Sequence, residues 1–391
     1  MLDWLVIGGG VHGTLVSRML LGSGGCSPAE VRVLDPWPRA LHRWWECTEN
    51  VGMDYLRSSL VHHLDEDPMS LEKFARTRAT SALDFYGQYQ RPSLDLWRDH
   101  FKNVVREWDL DELRLDGRAE RMRAVEGGYE VDTDRGSLKA RHVVLALGNC
   151  DSPNWPGWAC SLRAAGASIH HLFDPGFRSG DLPDDARLVI VGGGISAAQS
   201  ALRLSRRNPD AEPVRILSRH PLRVFDFDTD STWLGPRRIR SYERLSDPDA
   251  RRRVIAEERH RGSTPLYVVL SLERAIRTGR IVSTSGEVDS ARVENGVISL
   301  LSGGEELRAD AVALATGFSQ ERPGGAFVDS VIEELELECA SCGYPLVDRR
   351  VCWGGRLFVT GPLAELELGP AARNIHGARL AGKRLVDVAV R

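Results

Sequence analysis

Trp4-Leu5-Val6-Ile7-Gly8-Gly9-Gly10-Val11-His12-Gly13 decides the fold of this chain. An apolar run passes without a break into Gly8-x-Gly10-x-x-Gly13, and a helix-like stretch, 14–21, follows. In that context each glycine has a task. Gly8 permits a tight turn, Gly10 lets a pyrophosphate approach the backbone, and Gly13 lets helix and strand pack closely, with phosphate held at the helix N-terminus. A second apolar strand, Val31 to Leu34, ends in Asp35, about 20 residues on, where a carboxylate bonds a ribose hydroxyl in such sites. The spacing predicts an adenine dinucleotide.

The pattern recurs. Leu188-Val-Ile-Val191 leads into Gly192-Gly-Gly194-Ile-Ser-Ala197, and the following strand, Val214 to Leu217, ends in Ser218-Arg219-His220 rather than in an acid. Cations in place of the carboxylate suit a ribose 2′-phosphate, so the second dinucleotide is expected to be NADPH. Two further buried-looking strands end at glycine, one at Gly148 and one at Thr316-Gly317, and a third ends at Gly361. Gly369-Pro370 is expected to open a long helix through about residue 388, with a bare positive end able to stabilise a reduced flavin.

The fold class expected is α/β: two Rossmann-like parallel-sheet domains, an NADPH domain inserted into a discontinuous FAD domain. The expected boundaries are 1–160 and 312–391 for the FAD domain and 161–311 for the insert. The stretch from Pro36 to Arg98 is long for a connection between strands, and it carries Trp44, Trp45, Met53, Arg57, His62 and His63. Long insertions of this kind carry function or cover a cofactor, and Trp45 is taken as cofactor-binding.

Composition narrows the partners. A formal net charge of -4 over 391 residues gives no field to attract nucleic acid or an anionic membrane. The basic runs at Arg237–Arg240 and Arg251–Arg253 alternate with acids, which reads as a solvated helical surface. With no apolar run of about 20 residues and a first strand at Trp4, the expectation is a cytoplasmic protein without leader or membrane span. The seven cysteines are expected to be reduced thiols. Cys339-x-x-Cys342 lacks the four ligands of a structural zinc site, and adjacent histidines such as His62 and His63 rarely point at one ion, so no metal is expected.

Two glycine-rich units joined by Gly166-x-x-x-His170, together with Ala315-Thr-Gly-Phe318, make the chain resemble the class B flavin-dependent monooxygenases over nearly its full length. The linker resembles that family's F-x-G-x-x-x-H-x-x-x-(Y/F/W) fingerprint, departing from it at Ala164 and Asp174. Asp230-Ser-Thr-Trp233-Leu-Gly-Pro236 is similar to the substrate-side N-x-x-F-x-P segment of the N-hydroxylating enzymes that act on lysine- or ornithine-like amines.

The resemblance implies that NADPH reduces FAD and that the reduced flavin captures dioxygen as a C4a-hydroperoxide, which oxygenates a small nucleophile, foremost an amine nitrogen. It also implies polar groups around flavin and nicotinamide, for which His170, Arg57 and Asn374 are the candidates. A homo-oligomer is compatible with it. Two other functions fit the same cofactors: a flavoprotein reductase of a disulfide, quinone or carrier using Cys339 and Cys342, and a non-catalytic redox sensor.

Overall fold

The computed structural model describes residues 1–78, 83–208 and 210–390. Its first sheet is built around the opening motif. Leu2–Ile7 lies between Val31–Asp35 and Gly136–Leu145, parallel to both, so that Val6 faces Val33 on one side and Val144 on the other. Leu357–Val359 and Arg114–Asp116 extend the parallel array on either side. These strands are short and rich in Val, Leu and Ile because both faces are covered. Val6, Val143, Val144, Leu145, Leu357 and Val359 are fully buried.

The second sheet is wholly parallel, in the order Ile281–Ser285, Val214–Ser218, Leu188–Val191, Ala311–Leu314, Ile169–His171. The expected change-over at 311/312 therefore falls at the head of a strand of this sheet, and the chain returns to the first sheet only after Leu314. An antiparallel three-stranded meander, 290–309, covers one side of it. The two sheets are thus two separate Rossmann-like units, the second carried within the first.

The stretch between Pro36 and Arg98 has its own core. Trp45 and Trp97 meet edge to face at 5.6 Å, Trp44 lies 4.7 Å from Trp45, and Leu56, Leu64 and Leu71 close around them with Ile375 and Ala378 of the C-terminal helix. That helix, Ile375–Ala389, lies against Val11–Leu21, where a Cβ on Gly382 would collide with the Met19 sulfur. Packing of both helices is what anchors the long insertion to the first glycine loop.

Two sequence expectations change here. Pro370 opens only a single 3₁₀ turn, Pro370–Arg373, and the long helix begins at Ile375. Its end is also not bare, because Asn374 Oδ1 accepts the Gly377 N–H at 3.1 Å. Of the basic runs, Arg237, Arg238 and Arg240 are exposed as expected, but the second run differs. Arg251 and Arg252 of the helix Pro248–Glu258 turn inward to Glu367 and Glu365, instead of lying on a solvated face.

Candidate dinucleotide and active sites

In the first glycine loop, Gly8 has φ +112°, and a Cβ there would sit 2.6 Å from the Ala146 carbonyl oxygen. A Cβ on Gly13 would overlap the Gly8 carbonyl oxygen, while Gly10 faces open space. Gly10 is the N-cap of Val11–Leu21, with no side chain capping it and no acid in the first turn. The loop therefore offers free N–H groups and a positive helix end to a phosphate, with clearance above Gly10.

Asp35 closes the loop from the next strand. Its Oδ2 accepts the Gly9 N–H at 2.5 Å and its Oδ1 the Trp37 N–H at 2.9 Å. Burial raises its pKa against the lowering pull of those bonds. Asp35, Gly9, Ser17, Arg39 and Arg114 line a cleft beside the loop.

Within this motif stands a histidine that motif reading passed over. His12 Nδ1 lies 2.9 Å from Thr360 Oγ1, and its Nε2 is buried without a well-formed hydrogen bond, the Arg373 backbone lying near the ring. Burial holds its pKa down to about 4, so the ring is neutral. The edge of Gly361 passes along the same ring. An orphaned buried nitrogen at an open glycine cradle fits a bound FAD, which would offer hydroxyl and phosphate oxygens there. The visible signal was a histidine inside a motif whose other intervening residues are Gly and Val.

The second loop repeats the geometry. Gly192 has φ +153°, a Cβ on it would overlap the Ala315 carbonyl oxygen, and Gly194 is the uncapped N-terminus of Ile195–Leu204. A cavity of about 220 Å³ beside it is lined by Gly192, Ala197, Ser218, His220, Ser283 and Ser285. Ser218 Oγ donates to the His220 carbonyl at 3.0 Å. Arg219 is exposed and ion-paired with Glu287 at 3.8 Å. Both loops fit a pyrophosphate.

The remaining expected site residues separate. Arg57 is buried in bonds to the inserted domain: Phe225 O at 2.8 Å, Asp226 O at 3.2 Å, and Ser263 Oγ at 2.7 Å and O at 3.5 Å. Desolvation lowers its pKa. His170 lies at the edge of the second sheet, its ring stacked on Phe177 at 4.9 Å and half-buried. Asn374 spends its carbonyl on the helix cap. Trp45, expected at the cofactor, is instead a core side chain 5% exposed among Trp44, Trp97 and Phe101.

Strand ends from both sheets meet at a seam. Asn149, next to Gly148, donates to the Ser319 and Glu321 carbonyls, and Thr316 Oγ1 donates to Asn154 O at 2.5 Å. His171 Nε2 lies 3.1 Å from Thr316 Oγ1, one residue before Gly317, and burial holds that ring near pKa 4. Gly148 and Gly317 both face open space.

On the other side of the first sheet, Glu365 is 1% exposed and bound by Arg252 and by Arg373 at 2.5 and 2.9 Å. The two cations outweigh burial and lower its pKa. Arg251 and Arg384 hold Glu367 at 2.8 and 2.9 Å, and Tyr242 donates to the Leu366 carbonyl at 2.9 Å. This network joins the helices 236–258 to the turn Gly369-Pro370, whose glycine abuts Trp233 and Tyr242.

Residues 74–260, a little under half of the chain, match the family model for pyridine nucleotide-disulphide oxidoreductases. No curated protein matches. Among solved structures, the FAD-bound cadaverine monooxygenase of the desferrioxamine pathway from Erwinia amylovora is 15% identical, at TM-score 0.77, covering 100% of this chain and 94% of that one. The ornithine N-hydroxylase of Kutzneria sp. 744, with reduced FAD, NADP+ and L-ornithine, is 16% identical at TM-score 0.76, covering 100% and 99%. A bacillithiol disulfide reductase from Bacillus cereus fits less well, at 16% identity and TM-score 0.60, covering 99% and 98%. From end to end, the chain has the fold of the class B flavin-dependent monooxygenases and resembles their N-hydroxylating members.

Proposed function

We propose that this protein is an FAD- and NADPH-dependent monooxygenase that hydroxylates the nitrogen of a small amine. The observation that carries the reading is the pair of complete glycine loops, each with an uncapped helix end, in a chain whose fold matches N-hydroxylating enzymes along its whole length. The balance is R-NH₂ + O₂ + NADPH + H⁺ giving R-NHOH + H₂O + NADP⁺. FAD supplies the hydride acceptor and the oxygen chemistry when bound.

The chain's own part is binding and shielding. Gly8, Gly10, Gly13 and Asp35 hold FAD at the first loop, with Gly148, Gly361 and His12 along its length. Gly192, Gly194, Ala197, Ser218 and Arg219 hold NADPH at the second loop, and Thr316 and Gly317 stand at the seam between the two. The Gly369-Pro370 turn and the helix end behind Asn374 face the reacting region. His12 and His171 are neutral at physiological pH and act as hydrogen-bond groups, not as strong acids. Arg57 keeps the inserted domain in place over the site.

The fold leans toward hydroxylase over reductase, since the hydroxylases superpose at TM-scores near 0.77 against 0.60 for the disulfide reductase. The test is stoichiometry: NADPH and oxygen consumed, and hydroxylamine formed, across a panel of primary amines. Equal amounts of all three with one amine support the reading. NADPH oxidation that is linked to a disulfide or quinone, and indifferent to every amine, sinks it.

A further inference from the structure

Cys339-Ala-Ser-Cys342 is a motif that the two cofactor sites leave unused. It folds as one tight turn. The Gly343 N–H donates to the Ala340 carbonyl at 2.8 Å, the Ala340 N–H donates to the Tyr344 carbonyl at 2.9 Å, and Cys339 bridges to Pro345. Both thiols are reduced, Cys342 exposed and Cys339 half-buried.

The turn is docked on the helix Pro248–Glu258 of the inserted domain. Ser341 Oγ donates to Asp249 Oδ1 at 2.5 Å, and Arg252, three residues along the helix, lays its guanidinium 4.1 Å from the Tyr344 ring. Cys342 falls between these two anchors, and its sulfur stands beside the guanidinium. Arg252 Nη1 is spent on Glu365, whereas its Nε and Nη2 are buried and make no well-formed hydrogen bond. Against desolvation, Glu365 and then the Cys342 sulfur raise the pKa of Arg252, so it remains a cation. A part-buried cation with N–H groups to spare favours an anion next to it.

The second thiol has a different setting. Burial raises the pKa of Cys339, and Arg322 pulls the other way. Arg322 is paired with Asp329, but its Nη1 is buried without a partner. One thiol is thus exposed beside a guanidinium, and the other is sheltered and protonated. Thiol–disulfide exchange uses that division, an accessible thiolate to attack and a second thiol to displace the adduct.

We propose that Cys339 and Cys342 are a redox-active dithiol that reacts with small-molecule disulfides, Cys342 attacking, Cys339 resolving, and Arg252 acting as a positioning residue for the attacking sulfur. In the first step the Cys342 thiolate forms a bond to one sulfur of R-S-S-R and releases R-S⁻. In the second the Cys339 sulfur, giving up its proton, bonds Cys342 and releases the second R-S⁻. The sum is protein dithiol and R-S-S-R giving protein disulfide and two R-SH, a two-electron oxidation of the protein. No step involves flavin or amine, so the proposal stands apart from the N-hydroxylation reading. Closing the disulfide removes the anion beside Arg252, which places the state of the pair at the contact between Arg252 and Glu365.

The test follows the thiols and needs no turnover. FAD-loaded protein, without NADPH, is mixed with oxidised glutathione, and the masses of the intact protein and of the fragment holding both cysteines are followed in time. The expected product is lighter by two hydrogens, with 339 and 342 joined. Cys339→Ser should stop at a single glutathione on Cys342, and Cys342→Ser should leave Cys339 a free thiol. Cys342 should react about tenfold faster than Cys160, which is exposed as well. Arg252→Gln should slow the attack about tenfold and Arg252→Lys should keep part of the rate, a split that a merely structural role would not give. FAD content and the Cys160 rate report whether each variant is folded.

Equal rates at Cys342 and Cys160 overturn the proposal, as does an unchanged rate in folded Arg252→Gln. A glutathione adduct that persists on Cys342 of the unaltered protein overturns it too, since Cys339 then resolves nothing.

Discussion

His12 Nδ1 and Thr360 Oγ1, 348 residues apart in sequence, meet at 2.9 Å and tie the first glycine loop to the last strand of the first sheet. That contact fixes the imidazole beside Gly361, with its Nε2 buried and making no well-formed hydrogen bond. His12→Phe removes the polar group and is expected to weaken FAD binding about tenfold, which is about 1.4 kcal/mol. His12→Gln should recover part of it. Equilibrium dialysis with free FAD decides the matter, and unchanged affinity in His12→Phe would remove His12 from the cofactor site.

The two glycine loops should fail independently. A Cβ on Gly13 overlaps the Gly8 carbonyl, so Gly13→Ala is expected to purify without FAD and with reduced stability. Gly192→Ala puts its Cβ onto the Ala315 carbonyl and adds strain at φ +153°, and it should keep FAD while losing reduction by NADPH. Visible absorbance of the purified variants, followed by anaerobic titration with NADPH, reads both outcomes.

Four buried histidines make the fold acid-sensitive. His62 and His376 face each other at 6.2 Å and His63 and His100 at 4.8 Å. Burial holds His62, His100 and His376 near pKa 4 and His63 near 3. Around them stand Arg379, which bonds the carbonyls of Val61, His63 and Asp65, the Arg18–Asp65 pair at 2.8 Å, Lys383 and Asp67.

For a base whose pKa falls on folding, the unfolded chain binds more protons below pH 6.5, so stability is full above that value and is lost as pH drops toward 4. A tenfold loss of proton affinity on folding corresponds to about 1.4 kcal/mol, and several histidines act together. Asp65, with its pKa lowered by Ser70 and Arg18, loses stability in the same direction at lower pH. Urea midpoints measured from pH 7.5 to 4.5 should fall steeply, and less so in His63→Asn/His100→Asn. A flat profile would contradict the neutral cluster.

Glu365 is the keystone of the ion network beneath the Gly369 turn. Replacing it with Ala leaves Arg252 and Arg373 buried and unpaired, and is expected to destabilise the protein by about 3–5 kcal/mol. Because Arg252 belongs to the inserted domain and Arg373 to the C-terminal segment, the loss should also loosen the seam, visible as faster amide exchange in 248–258. Urea denaturation of Glu365→Ala tests the magnitude.

Much of the fold could be read from local pattern. The strands at 4–7, 31–34 and 188–191 stand as their apolar runs and terminal glycines suggested, since buried parallel strands and tight turns are set by residues close in sequence. Pro370 misled because proline suits the first position of a 3₁₀ turn as well as of an α-helix, and Asn374, four residues on, carries the cap.

The site was less legible than the fold. Trp45 was drawn to the cofactor by its place in a long insertion, whereas three neighbouring aromatics claim it for the core. Arg57 has partners about 170 and 206 positions away, and His12 meets Thr360 348 positions away. Neither fact has a local sequence signature.

Stopped-flow absorbance tests the central claim most directly: FAD-loaded protein is reduced anaerobically with NADPH and then mixed with oxygenated buffer. The account predicts a transient band distinct from both oxidised and reduced flavin, whose decay quickens with the right amine. Direct return to oxidised flavin, with no such band and no response to any amine, would contradict it.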